Sequence, residues 1–399
     1  MRPPLPPAPF AALLAVAVGA APHTLGAQRP AQRPAARAAA DAGAFVVRLG
    51  TDTVAVERFT RTGDRVEGDV FNRTGAAPRV THYVVTLDAA GRPTRAELRT
   101  RRPDGSAVPN SALGATITFR GDSAFADVQL PDSTAHFKVD APAGAVPSIP
   151  NSFAMWEIAL RSLRTAGRQN GAVVVWGPGA PRSTSLPVRF VRPDSVEVVY
   201  FDDPMRLRVD RAGRILHVDG MATTNKVRAE RVADVDVAAV ARTLAARPIG
   251  QTSPRDTVRA TVGTAQVMVD YGRPSVRGRT VWGGALVPYG KVWRTGANAA
   301  TTLVTSADLV LGGAPIPAGT YTLFTYPTAQ GVQLVVNRKT GEWGTEHDPS
   351  QDLVRVPLQV TPLATPVERF TIAVEPVNGT PSLVLRWADR QLSAPVATR

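Results

Sequence analysis

The residues best suited to chemistry sit close together between Tyr271 and Asn298. This stretch, YGRPSVRGRTVWGGALVPYGKVWRTGAN, holds four aromatics (Tyr271, Trp282, Tyr289, Trp293), four arginines (Arg273, Arg277, Arg279, Arg294) and six glycines in 28 residues. Indole and phenol rings offer flat faces that stack on a sugar or an apolar ring. A guanidinium grips a carboxylate or phosphate through paired N–H bonds, a role that suits Arg273 and Arg294. The Asn298 amide both donates and accepts, and so can orient a ligand. The expected ligand contacts are therefore Tyr271, Arg273, Trp282, Tyr289, Trp293, Arg294 and Asn298. The same composition also suits plain packing, with glycines at positive φ, aromatics covering a core and arginines satisfying loop carbonyls.

Other chemistries find less support. With no cysteine in the chain, disulfides, thiolate catalysis and thiolate zinc sites are excluded. Past the N-terminal leader the histidines are His82, His136, His217 and His347, and none forms an HxH or HExxH pair. The acidic run from Glu342 to Asp348, with Asp352 beyond it, offers oxygen ligands for calcium at Asp348 and Asp352, but its spacing matches no calcium loop. No G-x-S-x-G elbow is present. Gly283-Gly284 lacks the strand-then-helix context of a phosphate loop. Neither a metal nor a cofactor is indicated. Paired carboxylates for hydrolysis assemble only in three dimensions, so a hydrolase remains open as an alternative.

The formal charge is +13, and only four residues are lysine (Lys138, Lys226, Lys291, Lys339), so the basicity is almost all arginine. The arginines are interspersed with acids and form no basic stripe, which argues against nucleic acid as a partner. The charge favours anionic partners or anionic lipid surfaces. At the N-terminus, Arg2 precedes an apolar run from Phe10 to Ala21, and Leu25-Gly26-Ala27 ends in small residues. This pattern predicts a secretory signal peptide over 1–27, cleaved after Ala27, and a periplasmic or secreted protein. The run is shorter than the roughly 20 residues a membrane helix needs, and no later stretch predicts a transmembrane segment.

The elements that would position the aromatic and arginine stretch are mostly strands. Residues 28–43, rich in Ala, Arg and Pro, read as a disordered linker. From Ala44 short Val- and Phe-rich runs alternate with turn residues, which predicts an antiparallel β-rich domain over 44–246. Asp88-Ala-Ala-Gly91 and Asp210-Arg-Ala-Gly213 are matching turns. Phe153, Trp156, Ala159, Leu160 and Leu163 recur at helical spacing, which predicts one helix at about 151–166 packed on the sheet. Val235–Ala246 carries a second helical pattern. Arg247–Pro254 reads as a linker. Beyond it, eight or nine short strands, with turns at Gly263-Thr264, Gly312-Gly313 and Asn378-Gly379, predict a β-sandwich or barrel over 255–390. The predicted class is mainly β.

Residues from about 250 to 390 resemble a bacterial family, domain of unknown function 2911. The matching pieces are Tyr271-Gly-Arg-Pro274, Gly278-Arg279, Trp282-Gly283, Leu286-Val-Pro-Tyr-Gly290, Val292-Trp-Arg-Thr-Gly-Ala-Asn298, Pro317-Ala-Gly-Thr-Tyr-Thr-Leu-Phe324, Trp343-Gly344 and Pro366-Val-Glu-Arg-Phe370. The resemblance implies a secreted or periplasmic β-rich module and no particular activity. In pattern, the first domain is similar to exported sheet-plus-helix proteins that hold lipids, although no motif carries that likeness.

Together these features predict a non-enzymatic binding or interaction module of the cell envelope. Its ligand would be a small anionic or glycan-like molecule, or another envelope component, held by the 271–298 loop. The alternatives are a periplasmic hydrolase with its site between the domains and a structural scaffold whose loop is packing.

Overall fold

The computed structural model describes residues 41–200 and 203–399. The signal peptide expected over 1–27 and the linker up to residue 40 lie outside the described residues. The described residues form one compact unit, which contains two antiparallel sheets, each with its own core.

The first sheet begins at β1 (Asp41–Leu49), three residues before the expected boundary. It continues as a meander through β2 (Asp52–Thr62), β3 (Arg65–Asn72), β4 (Arg79–Leu87), β5 (Pro93–Arg101), β6 (Gly114–Arg120), β7 (Ser123–Gln129) and β8 (Thr134–Asp140). The short β9 (Val146–Pro147) then leads into helix α1 (Phe153–Thr165). A second meander follows, made of β10 (Asn170–Trp176), β11 (Thr184–Arg192), β12 (Ser195–Tyr200), β13 (Asp203–Val209), β14 (Ile215–Asp219) and β15 (Arg228–Val232). Pairing of β1 with β15 joins the two meanders into one 15-stranded sheet, with β8 and β9 at its edges. Among the described strands of this sheet, β9 and β10 alone pair in parallel.

Inward side chains from every strand, β9 included through Val146, share one apolar core with α1, from Phe45 and Tyr83 to Val198 and Ala229. Helix α1 lies against β9 and β10 and also meets the first meander, through Phe153 on Phe45 of β1 and through Glu57 of β2. Two buried carboxylates pin the helix. Glu57 of β2 accepts from Tyr83 Oη (2.8 Å) and Ser152 Oγ (2.5 Å), and from the backbone N–H groups of Phe153 (2.7 Å) and Ala154 (3.2 Å). It thereby caps a helix whose own N-cap, Ser152, makes no side-chain cap. Glu157, one turn later, pairs with Arg231 at 2.6 Å and accepts from the Ile215 N–H. The second helix, α2 (Val237–Ala245), packs Val237 and Ala241 on the outer face of the sheet against Val56 and Phe71.

The matching Asp-x-x-Gly turns both close hairpins of this sheet, β4–β5 and β13–β14, with the same bonds. Asp88 accepts from the Arg92 N–H (2.9 Å) and guanidinium (2.8 Å), and Asp210 does the same with Arg214 at 2.9 and 2.6 Å.

The second sheet is built from β16 (Arg255–Val262), β17 (Ala265–Gly272), β18 (Thr301–Thr305), β19 (Leu309–Leu311), β20 (Ala314–Ile316), β21 (Gly319–Pro327), β22 (Val332–Asn337), β23 (Asp352–Val377) and β24 (Thr380–Thr398). Their order, β16-β17-β18-β21-β22-β23-β24-β19-β20, folds over one core in a sandwich-like arrangement without closing into a barrel. The sequence pattern breaks β23 and β24 into shorter pieces that end by 390. The structure instead holds them as one long hairpin, with register shifts at Pro362, Val367 and Thr371. Prolines at 362 and 366 look like turns in sequence, but bulges accommodate them once a partner strand lies alongside.

Candidate functional site

The 28-residue stretch leaves β17 and returns to β18 as an ordered loop over the end of the second sheet. It is sewn down by backbone bonds: Arg273 N–H to the Pro254 carbonyl, Val276 N–H to Glu368, Gly290 N–H to Pro327, and a reciprocal pair between Trp293 and Thr325. At Gly272 the Ala297 carbonyl oxygen would lie 2.2 Å from a β-carbon, so only glycine lets the two ends of the loop cross. Thr295 holds φ 48° while fully buried. That is a strained choice for a β-branched residue, and it stands next to Arg294.

The loop distributes the expected contacts unevenly. Tyr271 is buried, and its hydroxyl receives the Ile372 N–H at 3.0 Å. Arg273 donates to Asp256 (2.9 Å), to the Phe370 carbonyl (3.1 Å) and to Thr371 Oγ1 (2.9 Å). Trp282 is buried with its Nε1–H on the Trp387 carbonyl (3.1 Å). Tyr289 is exposed and its hydroxyl accepts from Arg390. These four serve the loop's own packing. Trp293, Arg294 and Asn298 instead meet on the wall of a cavity of about 960 Å³ between the two sheets. Trp293 reaches it from the centre of an aromatic core, stacked on Trp387 (5.4 Å) and edge-on to Trp282 (6.1 Å) and Phe370 (5.1 Å).

The opposite wall comes from one end of the first sheet. Antiparallel strands bring alternate ends and starts together, so Leu49, Val54, Val175, Leu186, Tyr200 and Met205 converge there. The N-terminus of α1 adds Ser152, Phe153, Met155 and Trp156. The turn before β15 contributes Lys226. From beyond β22, Trp343 and Glu346 complete the rim.

Electrostatically the cavity is one-sided. Its lining holds three cations, Lys226, Arg279 and Arg294, and one carboxylate, Glu346, with no histidine among the described residues. Lys226 donates to the carbonyls of Met221 (3.0 Å) and Ala285 (2.9 Å), the second of which bridges the sheets. Burial pushes its pKa down to about 8, with Arg294 the next cause and Arg279 and Lys291 adding to it against Asp203. Burial also pulls Arg279 down to about 10, reinforced by Arg277. The Arg279 guanidinium is occupied by the carbonyls of Val276 and Ser275. Arg294 differs. Burial lowers its pKa and only the charge of Asp203 opposes this, and it has no hydrogen-bond or ion-pair partner among the described residues. Its position is set by Gly344, where a β-carbon would lie 2.6 Å from Arg294 Cδ and 2.7 Å from the Asn298 carbonyl oxygen.

The carboxylates weighed for calcium are engaged elsewhere. Asp348 accepts from the Ser350 N–H and hydroxyl at a short 3-10 turn. Asp352 takes His347 and Asn337, each at 2.8 Å, and Arg355 at 3.0 Å. Sequence reasoning passed over Lys226, Trp343 and Trp387. The rarity of lysine was the one available signal for Lys226, and nothing in the spacing ties 226 to 294.

Fold and site together define an antiparallel two-sheet protein with a cationic cavity roofed by a glycine-rich loop. The second sheet and its loop match the family described as Protein of unknown function (DUF2911) over residues 253–396, in agreement with the resemblance read from the sequence. Among solved structures, the crystal structure of a DUF1089 family protein from Pseudomonas aeruginosa aligns at 14% identity. The alignment covers 42% of this chain and 89% of that one with a TM-score of 0.32, a likeness too distant to assign the fold. No curated protein matches the chain.

Proposed function

We propose that the chain is an exported, non-enzymatic binding module of the cell envelope that captures a small anionic ligand in the cavity under the Tyr271–Asn298 loop. One observation carries this reading: Arg294 is a half-buried guanidinium on the cavity wall with no partner among the described residues. Partial desolvation of a charge is costly unless something of opposite sign meets it, and an anionic ligand would do so. Trp293, itself largely buried, lines the cavity beside Arg294, and Asn298 adds an amide. A hydrolytic site would need an acid and a base facing one substrate, and among the described residues the lining offers a single carboxylate. A pure scaffold accounts for the burial of Trp282 and Trp293 but not for a cavity of about 960 Å³ beside an unpaired arginine. Of the ligand kinds expected from sequence, the cations favour an anion over a neutral glycan.

Calorimetric titration with carboxylates and phosphates, from inorganic phosphate to acylated species, tests the reading. Arg294→Gln should weaken binding by about 1.5–3 kcal/mol, the usual worth of a charge-assisted hydrogen bond, with the melting temperature little changed. Absence of any ligand for the wild type, or loss of folding in the variant, would count against it. Export is tested separately: protein recovered from the envelope fraction should begin at Gln28.

A further inference from the structure

Resting on that reading, we infer that the ligand is an amphiphile, a single acyl chain bearing an anionic head group, with the head at Arg294 and Lys226 and the chain against the end of the first sheet. The cavity is large for a simple anion. About 960 Å³ is at the upper end of the roughly 300–1,000 Å³ of small-molecule pockets. Its two walls differ in chemistry. Arg294, Arg279 and Asn298 come from the loop and Lys226 from the turn before β15. Leu49, Val175, Leu186, Met205, Phe153 and Met155 come from the strand ends and the start of α1. These six offer no side-chain hydrogen bond.

A sugar placed against them would leave its hydroxyls unpaired, at a cost for each one, whereas an acyl chain loses nothing there. The two methionines suit a flexible chain, because the thioether is polarisable and its side chain repacks easily. The cationic wall disfavours an uncharged chain: among the described residues three cations and one carboxylate line the cavity, with the charge of Asp203 also acting on Lys226 and Arg294, and this balance gains most from a head group that carries negative charge.

The experiment uses the delipidated full chain and its own fluorescence, since Trp156, Trp293, Trp343 and Trp387 all line the cavity. Fatty acids and lysophosphatidic acids of increasing chain length are titrated beside acetate, glycerol 3-phosphate and monoacylglycerols. Affinity should rise about tenfold for every two methylenes, from the transfer free energy of a buried methylene. Arg294→Gln should weaken the acyl anions about tenfold or more and leave the monoacylglycerols unchanged. A second variant, Leu186→Gln, should weaken long chains while sparing the short anions, and its melting temperature controls for folding. A preference between the carboxylate and phosphate series identifies the source of the head group. If acetate or glycerol 3-phosphate binds as tightly as its acylated form, the amphiphile is wrong and anion capture survives. If monoacylglycerol binds as tightly as the charged species, anion recognition itself fails, and with it the proposed function. If nothing binds, both fail.

Discussion

Lys226 is the residue on which the cavity's charge turns. Its ammonium is held by carbonyls rather than a carboxylate and faces Arg294, Arg279 and Lys291, with Asp203 in opposition. Its pKa is about 8 in the folded state against an ordinary 10.5. Between those values the unfolded chain binds more protons than the folded one, so ligand-free stability contributed by this group rises with pH. Affinity for an anion runs the other way and falls as pH rises through about 8, because the cavity loses a positive charge. Melting temperatures of wild type and Lys226→Met, compared from pH 7 upward, should show the wild type gaining on the variant. Parallel slopes would mean that Lys226 keeps an ordinary pKa. An anion should also bind Lys226→Met with little pH dependence in that range.

Helix α1 is the element that the first sheet is built around, and its start depends on one distant side chain. Glu57 lies on β2, yet it takes two N–H groups of the first helical turn and two hydroxyls. Burial pushes its pKa up to about 7, and the four donors keep it from rising further. Because the folded value exceeds the unfolded one, the group's contribution is full below pH 4.5 and is lost as pH rises through about 7. Glu57→Gln can turn its carbonyl oxygen to the helix N–H groups and its amide to the hydroxyls, which accept as readily as they donate. Thermal unfolding from pH 4.5 to 7.5 should therefore show a flatter pH dependence in the variant, with stability near pH 7 within about 1 kcal/mol of wild type. A large loss at every pH would mean that the donors require a full negative charge.

At the scale of the whole molecule, the two sheets are tied by Asp52. It lies between Arg73 of the first half (3.3 Å) and Arg277 of the loop (2.6 Å), whose side chains are only 8% and 13% exposed. The Thr51 N–H adds a backbone bond to the Arg277 carbonyl at 3.1 Å. Removing the shared carboxylate strands two buried guanidiniums. Asp52→Asn should lower stability by about 2–3 kcal/mol, somewhat less than for a fully buried pair because Asp52 is itself 32% exposed. Urea unfolding followed by tryptophan emission measures this, and an unchanged midpoint would show the bridge to be energetically idle. Since Arg277 and Arg294 share one loop, the variant should also loosen ligand binding.

Local pattern alone made much of this chain legible. Period-two runs and turn dipeptides mark the strands, helical spacing places α1 within two residues of its observed start, and the density of rings and guanidiniums in 271–298 points to the loop that roofs the cavity. Strand and helix are decided by interactions a few residues apart, which the order of residues records directly. Which loop side chains face inward was not legible. Trp282 and Trp293 are the same residue type eleven positions apart and equally buried, yet one gives its Nε1–H to the Trp387 carbonyl while the other lines the cavity. Arg273 and Arg294 look equivalent as grips, yet Asp256, Phe370 and Thr371 occupy the first and nothing described occupies the second. Those outcomes depend on partners 17 to 105 residues away and on the packing that brings the strand ends of one sheet to the loop of the other. Tertiary packing alone chooses among residues of identical chemistry, because burial and pairing belong to the space around a side chain and not to its place in the chain.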